Sequence, residues 1–466
     1  MYEPWFFFVV AFAIRLGSCA AKYGLGRIHP REYLEYVHMG ERFLQFGTLV
    51  SPLTYDAASN APSAILPPAY SVLVAAVFSL FGVRSCTSIL VLQLINTVAS
   101  SLAVVIVYAI TRKLAGSTAP IGGTVAARIA ALVAAVNPCL FGYTWMIWDT
   151  SLFILGVCLV LWYVLPRGGE RWVPHPRYCE GGGRKAGMSA AGIALTRQQE
   201  SRSAAVANRE SSARWVGFGV LLGALALLNP SFTLAYPVLV LWPLVRKHGW
   251  LTRKLVRPVG MCVLGWILAI TPWTIRNYVQ LGRVLYVRGG LPMEFWLGVC
   301  PEADLGGGDA FRSEFPLSNA DAERHIAVMG DMAFIDECGQ RAWAAIRNDP
   351  WRYARLVGIR TADYWTGAVF EHSTSGSGWP PNRSRAAATV FLSIEGAAIL
   401  GLLILAIARR RIPSDVLWLL ALAGTFSVLY CLTHVQLRYR APTEPMMAIA
   451  LGLLAATARS RFRAVL

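Results

Sequence analysis

Residues 129–165 read IAALVAAVNPCLFGYTWMIWDTSLFILGVCLVLWYVL. The run holds 37 residues and a single charge, Asp149. A membrane-spanning helix takes about 20 apolar residues, so this stretch is too long for one crossing and suits two. Asn137-Pro138 interrupts its first half, because proline lacks the N–H that would continue a helix. Trp148-Asp149-Thr150 marks the turn. The reading is a helical hairpin, spanning at 129–146 and 150–165, with Asp149 at its tip. A carboxyl in so apolar a setting is costly and commonly functional. Asp is also a good N-cap for the returning helix, and the two roles are compatible.

The rest of the chain follows the same pattern. Its 466 residues are 55% hydrophobic and 15% charged, with a mean hydropathy of +0.48. Soluble domains carry about 25% charged residues. A soluble enzyme, a disordered chain and a coiled coil are thereby excluded, and an all-α polytopic membrane protein is expected. Further spans fall at 4–24, 86–111, 215–229, 231–245, 258–275, 386–408, 413–433 and 441–457, ten in all with the hairpin. Arg15 and the lack of a basic start argue against a cleavable leader, so 4–24 reads as a retained first span.

Charge orients these spans. The chain has 43 basic and 26 acidic residues, a net charge of +17. In a soluble protein that excess would suggest nucleic acid. Here it sorts by loop. If the apolar stretch 66–82 does not cross, 22 basic residues fall on one side: those of the 166–214 loop and those near 112, 246–257, 409–411 and 459–463. Cytoplasmic loops collect such residues. The expectation is therefore both termini in the cytoplasm, 66–82 as an outer juxtamembrane or re-entrant helix, a plasma (inner) membrane location and no nucleic-acid partner. Residues 1–275 form the transmembrane core, with a first outer loop at 25–85 and a flexible cytoplasmic insertion at 166–214. Residues 276–385 form an extracytoplasmic subdomain with helical periodicity, and 386–466 the last helices.

This topology gathers polar residues at the outer face. Residues 32–46, EYLEYVHMGERFLQF, read as an amphipathic interfacial helix with Glu32 and Glu35 at its start. Acids also favour a first helical turn for the helix dipole alone. Asp149 is the second acidic site. Arg276, at the end of TPWTIRNY, and Arg438 and Arg440, within HVQLRYRAPTEP, supply guanidinium groups. Such arginines suit bidentate phosphate binding, and also snorkelling to lipid headgroups.

Taken in order, these features resemble the GT-C membrane glycosyltransferases of glycosyltransferase family 39, which includes dolichyl-phosphate-mannose–protein mannosyltransferases and aminoarabinose transferases. The resemblance rests on Glu32-x-x-x-Tyr36-x-x-x-Gly40, Pro67-Pro68-Ala69-Tyr70, Asn137-Pro138 before Trp148-Asp149, Leu228-Asn229-Pro230, Pro272-Trp273-Thr274-Ile275-Arg276-Asn277-Tyr278, and Arg438-Tyr439-Arg440-x-Pro442-x-Glu444-Pro445. It implies a bundle of about ten transmembrane helices with outer juxtamembrane helices. It also implies a polyprenyl-phosphate-sugar donor and a protein, lipid or glycan acceptor, with sugar transfer on the extracytoplasmic face. By that resemblance Glu32 is the catalytic base, in place of the usual Asp and without its acidic neighbour. Asp149 and Glu35 are the other catalytic acids. Arg276, Arg438, Arg440, Tyr36, Pro68, Tyr70, Asn277 and Glu444 are the expected substrate contacts. Some members bind a divalent ion. His29 and His38 flank Glu32 without strict ligand spacing, so a metal cofactor stays open. A transporter or flippase of lipid-linked substrates is the alternative, as is a relative without activity. Transporters place ionisable groups near the bilayer midplane, whereas these sit at span ends. Of nine cysteines only Cys300 and Cys338 share the 276–385 loop, and a disulfide between them is the less favoured reading.

Overall fold

The computed structural model describes residues 2–22, 24–28, 35–54, 60–115, 120–165, 212–248, 252–303, 310, 313–366, 382–408, 412 and 414–465. Among them there is no strand, only a lone antiparallel bridge between Val50 and Pro62. The chain is an all-α multi-pass membrane protein. Six helices are long and apolar enough to span: α1 (Glu3–Lys22), α4 (Cys86–Ala115), α9 (Val256–Leu281), α14 (Asn382–Ala408), α15 (Ser414–Leu432) and α16 (Glu444–Val465). The other expected spans fall on shorter helices: α5 (Pro120–Val136), α6 (Thr150–Val164), α7 (Ser212–Leu228) and α8 (Tyr236–His248). Two further helices, α2 (Glu35–Phe46) and α3 (Pro68–Phe81), pack on each other, and at 14 residues α3 is short of a span. A helical cap is built from α10 (Leu291–Val299), α11 (Ala320–Met329), α12 (Asp331–Asn348) and α13 (Pro350–Thr366).

The opening hairpin differs from its reading in one respect. Its first helix starts at Pro120 and ends at Val136, rather than running to 146. The cause is Pro138. Without an N–H it leaves the Ala134 carbonyl with no helical donor, and Cys139 N–H turns to the Asn137 side chain, 2.8 Å away. Arg15 fills the gap. Its guanidinium donates to Ala134 O at 3.3 Å and Ala135 O at 3.0 Å, and its Nε to Ser100 Oγ at 2.7 Å. The charge that interrupts α1 in sequence thus caps a broken helix in the fold.

Small residues bring the helices together. In α5, Ala126, Ala127, Ala130, Ala131, Ala134 and Ala135 are all fully buried, against α1, α4 and α16. A Cβ at Gly452 of α16 would lie 2.5 Å from Ala126 O. Similarly, a Cβ at Gly219 of α7 would come 1.9 Å from Cys262 O, and one at Gly265 of α9 would come 2.1 Å from Val216 O. Lipid tails are as apolar as leucine, so close backbone packing, not solvent exclusion, drives such contacts. Cys300 and Cys338 are free, buried thiols.

Candidate active site

At one end of the bundle a cavity of about 60 Å³ lies between segments distant in sequence. Glu35 and Tyr36 come from the start of α2, Ile65 and Leu66 from the segment before α3, and Asp149 and Phe153 from the start of α6. Arg288 comes from the approach to α10 and Glu294 from its first turn, Tyr430 from the last turn of α15, and Arg438 and Tyr439 from the α15–α16 connection.

Asp149 occupies the N-cap position of α6, but its side chain makes no cap bond. Its Oδ2 accepts instead from Asn229 Nδ2 at 2.9 Å. Asn229 is held in turn: its Oδ1 accepts the Ser231 N–H at 3.2 Å and the Ser231 hydroxyl at 2.6 Å. Tyr430 donates to that same hydroxyl at 2.7 Å. Pro230 explains the arrangement. It ends α7, so Asn229 adopts extended backbone and caps the following 3-10 turn, Pro230–Ala235. The remaining amide hydrogens of Asn229 are free to face Asp149. Burial raises the Asp149 carboxyl above the ordinary carboxylate range, opposed by the Asn229 bond and by Arg438.

Glu35 is 7% exposed, and burial raises its carboxyl too, with Arg438 acting against that rise. The Arg438 guanidinium lies 4.7 Å from the Trp148 ring centre and 4.9 Å from that of Tyr439, and donates to the Tyr439 hydroxyl at 3.0 Å. Among the described residues it closes no ion pair with a carboxylate. Arg288 reaches Glu294 Oε1 only at 3.4 Å. The other Glu294 oxygen is 3.5 Å from His434 Nε2. Burial lowers the His434 imidazole to about 4, so it is neutral at pH 7 and that contact is no ion pair. Three carboxyl groups and two guanidinium groups thus share one cavity, with Arg288 in a 3.4 Å ion pair with Glu294 and Arg438 stacked on aromatic rings without an ion pair among the described residues.

The sequence-derived residues divide. Glu35, Tyr36, Asp149 and Arg438 meet here. Tyr70 lies behind the wall, its ring 5.1 Å from Tyr36 and its hydroxyl accepting from Asn96 Nδ2 at 3.0 Å. Pro68 is buried at the start of α3, outside the cavity lining. Arg276 was expected to face a lipid phosphate. It instead stacks on Trp273 at 4.7 Å and donates to Ser63 O at 2.8 Å and Leu49 O at 3.0 Å. Leu49 and Ser63 flank the Val50–Pro62 bridge, and the guanidinium fork reaches a carbonyl on each side of it. Asn277 bonds Leu285 O at 3.1 Å and Val287 O at 3.2 Å, fixing the turn after α9. Arg440 and Glu444 pair at 2.6 Å in the bundle interior, away from the cavity lining. Glu32 lies outside the described residues, as do His29 and the 166–211 stretch. Sequence reading missed Arg288, Glu294, Tyr430 and Tyr439. The only local sign was the Arg288-Gly289-Gly290 turn. Among the described residues no three His, Cys, Asp or Glu side chains gather as a metal site.

No family model matches the chain, and no curated protein sequence does. Solved structures do. The Archaeoglobus fulgidus oligosaccharyltransferase tethered to an acceptor peptide containing the NVT sequon superposes with a TM-score of 0.52 at 15% identity, over 99% of this chain and 50% of that one. The Archaeoglobus fulgidus AglB complex with an inhibitory peptide and a dolichol-phosphate gives 0.50 at 15% identity, over 100% of this chain and 52% of that one. This chain therefore spans about half the length of the structures it matches. ArnT from Cupriavidus metallidurans bound to undecaprenyl phosphate matches at a TM-score of 0.37 and 15% identity, over 97% of this chain and 78% of that one, a likeness too weak to build on. The likeness to the archaeal enzymes establishes the fold as GT-C.

Proposed function

We propose that the protein is a membrane glycosyltransferase that moves a sugar from a polyprenyl-phosphate-linked donor to an acceptor hydroxyl or amide, at the extracytoplasmic face. The observation that carries this reading is the cavity itself, which Asp149 and Glu35 line together with Arg288 and Arg438. The GT-C fold adds support by analogy, since one structure of that fold holds a dolichol-phosphate.

The roles follow from charge. Arg438 and Arg288 hold the donor phosphate, replacing weak contacts with charge-assisted hydrogen bonds. Asp149, aimed by Asn229, takes the proton from the acceptor. The acceptor atom then bonds to the anomeric carbon as the bond from that carbon to the phosphate oxygen breaks. The bonding pair leaves with the phosphate, where the two guanidinium groups stabilise the charge. A single displacement of this kind inverts the anomeric centre. Glu35 is the second acid of the site; Glu32, to which the family resemblance assigns the base, lies outside the described residues, and Asp149 takes that role in this reading. In this reading both termini lie in the cytoplasm, the bundle in the inner membrane and the cap outside, which the basic residues clustered in the loops support.

The decisive experiment is transfer from a radiolabelled polyprenyl-phosphate sugar in membranes carrying Asp149→Asn, with expression and melting compared. General-base catalysis is worth ~10²–10⁴-fold, so a loss of about 10³-fold at unchanged melting is expected. Wild-type rates would remove Asp149 from the chemistry. Lipid scrambling without any transfer would favour the flippase alternative.

A further inference from the structure

One residue of the 48–66 segment is held from three sides. Ser63 is fully buried. Its N–H donates to Leu49 O at 2.9 Å, its carbonyl accepts from Arg276 Nη1 at 2.8 Å, and its hydroxyl donates to Asp331 Oδ2 at 2.5 Å. The same hydroxyl accepts the Ile65 N–H at 3.2 Å. The next carbonyl, Ala64 O, accepts the Gly289 N–H at 2.9 Å. The consequences reach the cavity at once: Ile65 and Leu66 line one wall, and Arg288, the residue before Gly289, lines another. The two backbones are as close as glycine permits, since a Cβ at Gly290 would lie 3.2 Å from Ile65 O.

Asp331 is the first residue of α12, so it ties this wall to the cap. It is 5% exposed and bonded to a hydroxyl rather than a guanidinium, a costly way to hold a loop. Arg276 pulls on the other end of the same residue. Serine is thereby fixed at its amide, its carbonyl and its side chain, each by a different element.

We propose that Asp331 is a positioning residue of the cavity, acting through Ser63 to set the spacing between the Ile65–Leu66 wall and Arg288. The proposal rests on reading that cavity as the phosphate-binding transfer site. It makes the cap part of the site's geometry, and gives Arg276 a positioning role in place of the phosphate contact expected of it.

The test uses the full chain in lipid nanodiscs, with undecaprenyl phosphate as the probe. Its affinity and the amide exchange of residues 63–66, 288–291 and 331–338 are measured for wild type, Asp331→Ala, Ser63→Ala, the double variant and Asp331→Asn. Wild type is expected to bind and to slow exchange in all three segments. Losing one partner of a buried hydrogen bond should weaken binding about tenfold in each alanine variant and uncouple 331–338 from the probe. Acting through one bond, the double variant should be no weaker than the weaker single one. Asp331→Asn keeps an acceptor oxygen and should restore affinity to within about twofold of wild type, which a merely structural charge would not. Wild-type affinity with intact coupling in Asp331→Ala would overturn the proposal, as would an asparagine variant as weak as alanine. If wild type itself fails to bind the probe, the reading of the cavity fails and the proposal with it. Should Asp331→Ala not fold, Ser63→Ala decides.

Discussion

Two buried polar clusters lie close together in this molecule, and they use neighbouring arginines differently. Arg438 belongs to the cavity. It is stacked on Trp148 and bonded to a tyrosine hydroxyl, without a carboxylate partner among the described residues. Arg440, two residues on, is 2% exposed and closed on Glu444 at 2.6 Å, with a further bond to Tyr364 O at 2.8 Å. Glu444 also accepts from Asn137 Nδ2 at 2.8 Å, and that amide reaches Glu395 at 3.3 Å. This second cluster ties the broken end of α5 to α14 and α16. Its hydrogen bonds are spent on the protein, so it holds the bundle. The first leaves Arg438 without a carboxylate partner among the described residues. Residue type alone does not make a phosphate site; what matters is whether the partner is already present.

That contrast can be broken by experiment. The largest expected effect is on the closed cluster. Arg440→Ala leaves Glu444 buried without its cation, which costs roughly 3–5 kcal/mol, so melting should collapse while transfer per folded molecule changes little. Replacing both partners, as Arg440→Met with Glu444→Leu, should recover much of that loss. If Arg440→Ala instead left stability intact and abolished transfer, the two clusters would have been assigned the wrong way round.

Next in size is Arg438→Ala. Removing a guanidinium from a phosphate should lower transfer by about 10²-fold, near 2.7 kcal/mol, with melting nearly unchanged. Arg438→Lys keeps the charge but loses the fork and the stacking, and should restore only part of the rate. Full activity in the lysine variant would mean that a point charge suffices.

The smallest effect is a pH dependence at the wall of the cavity. Burial pushes the Asp331 carboxyl up to about 6, with the Ser63 bond opposing it. A raised carboxylate means that the folded state holds its proton longer than the unfolded one. Stability from this group is thus greatest at low pH and falls as pH rises from about 4 to about 6, by on the order of 2 kcal/mol. Asp331→Asn should flatten that slope in thermal melts across the window. An unchanged slope would place the titration elsewhere. Transfer itself should rise with pH through a value above the usual carboxylate range, because Asp149 must be ionised to act as base and burial raises its carboxyl.

Several features were legible in the residues alone. The apolar runs set the helices, and the pair Asn137-Pro138 marked a break whose position, though not its effect on the helix before it, could be read directly. Asp149 stood out because an acid within 37 apolar residues needs a reason. Its alternative role as a capping side chain was not separable in sequence. The structure separates them, since the side chain bonds Asn229 and leaves the cap unmade. Arg288 and Glu294 were hidden in a nearly neutral stretch, and they matter only because chain folding sets them opposite Asp149.

What the sequence determined by itself is composition and period: how much of the chain is helical and membrane-embedded, where proline stops a helix, and that few charges remain to do chemistry. What only the tertiary structure decided is which of those charges are already satisfied. Residues 438 and 440 are about 200° apart around a helical turn, so sequence fixes that they face different ways. It does not fix which way is towards the cavity, because that azimuth is set by the helices packed on either side. The same holds for Arg276, whose side chain is claimed by loop carbonyls some 213 residues away in the chain.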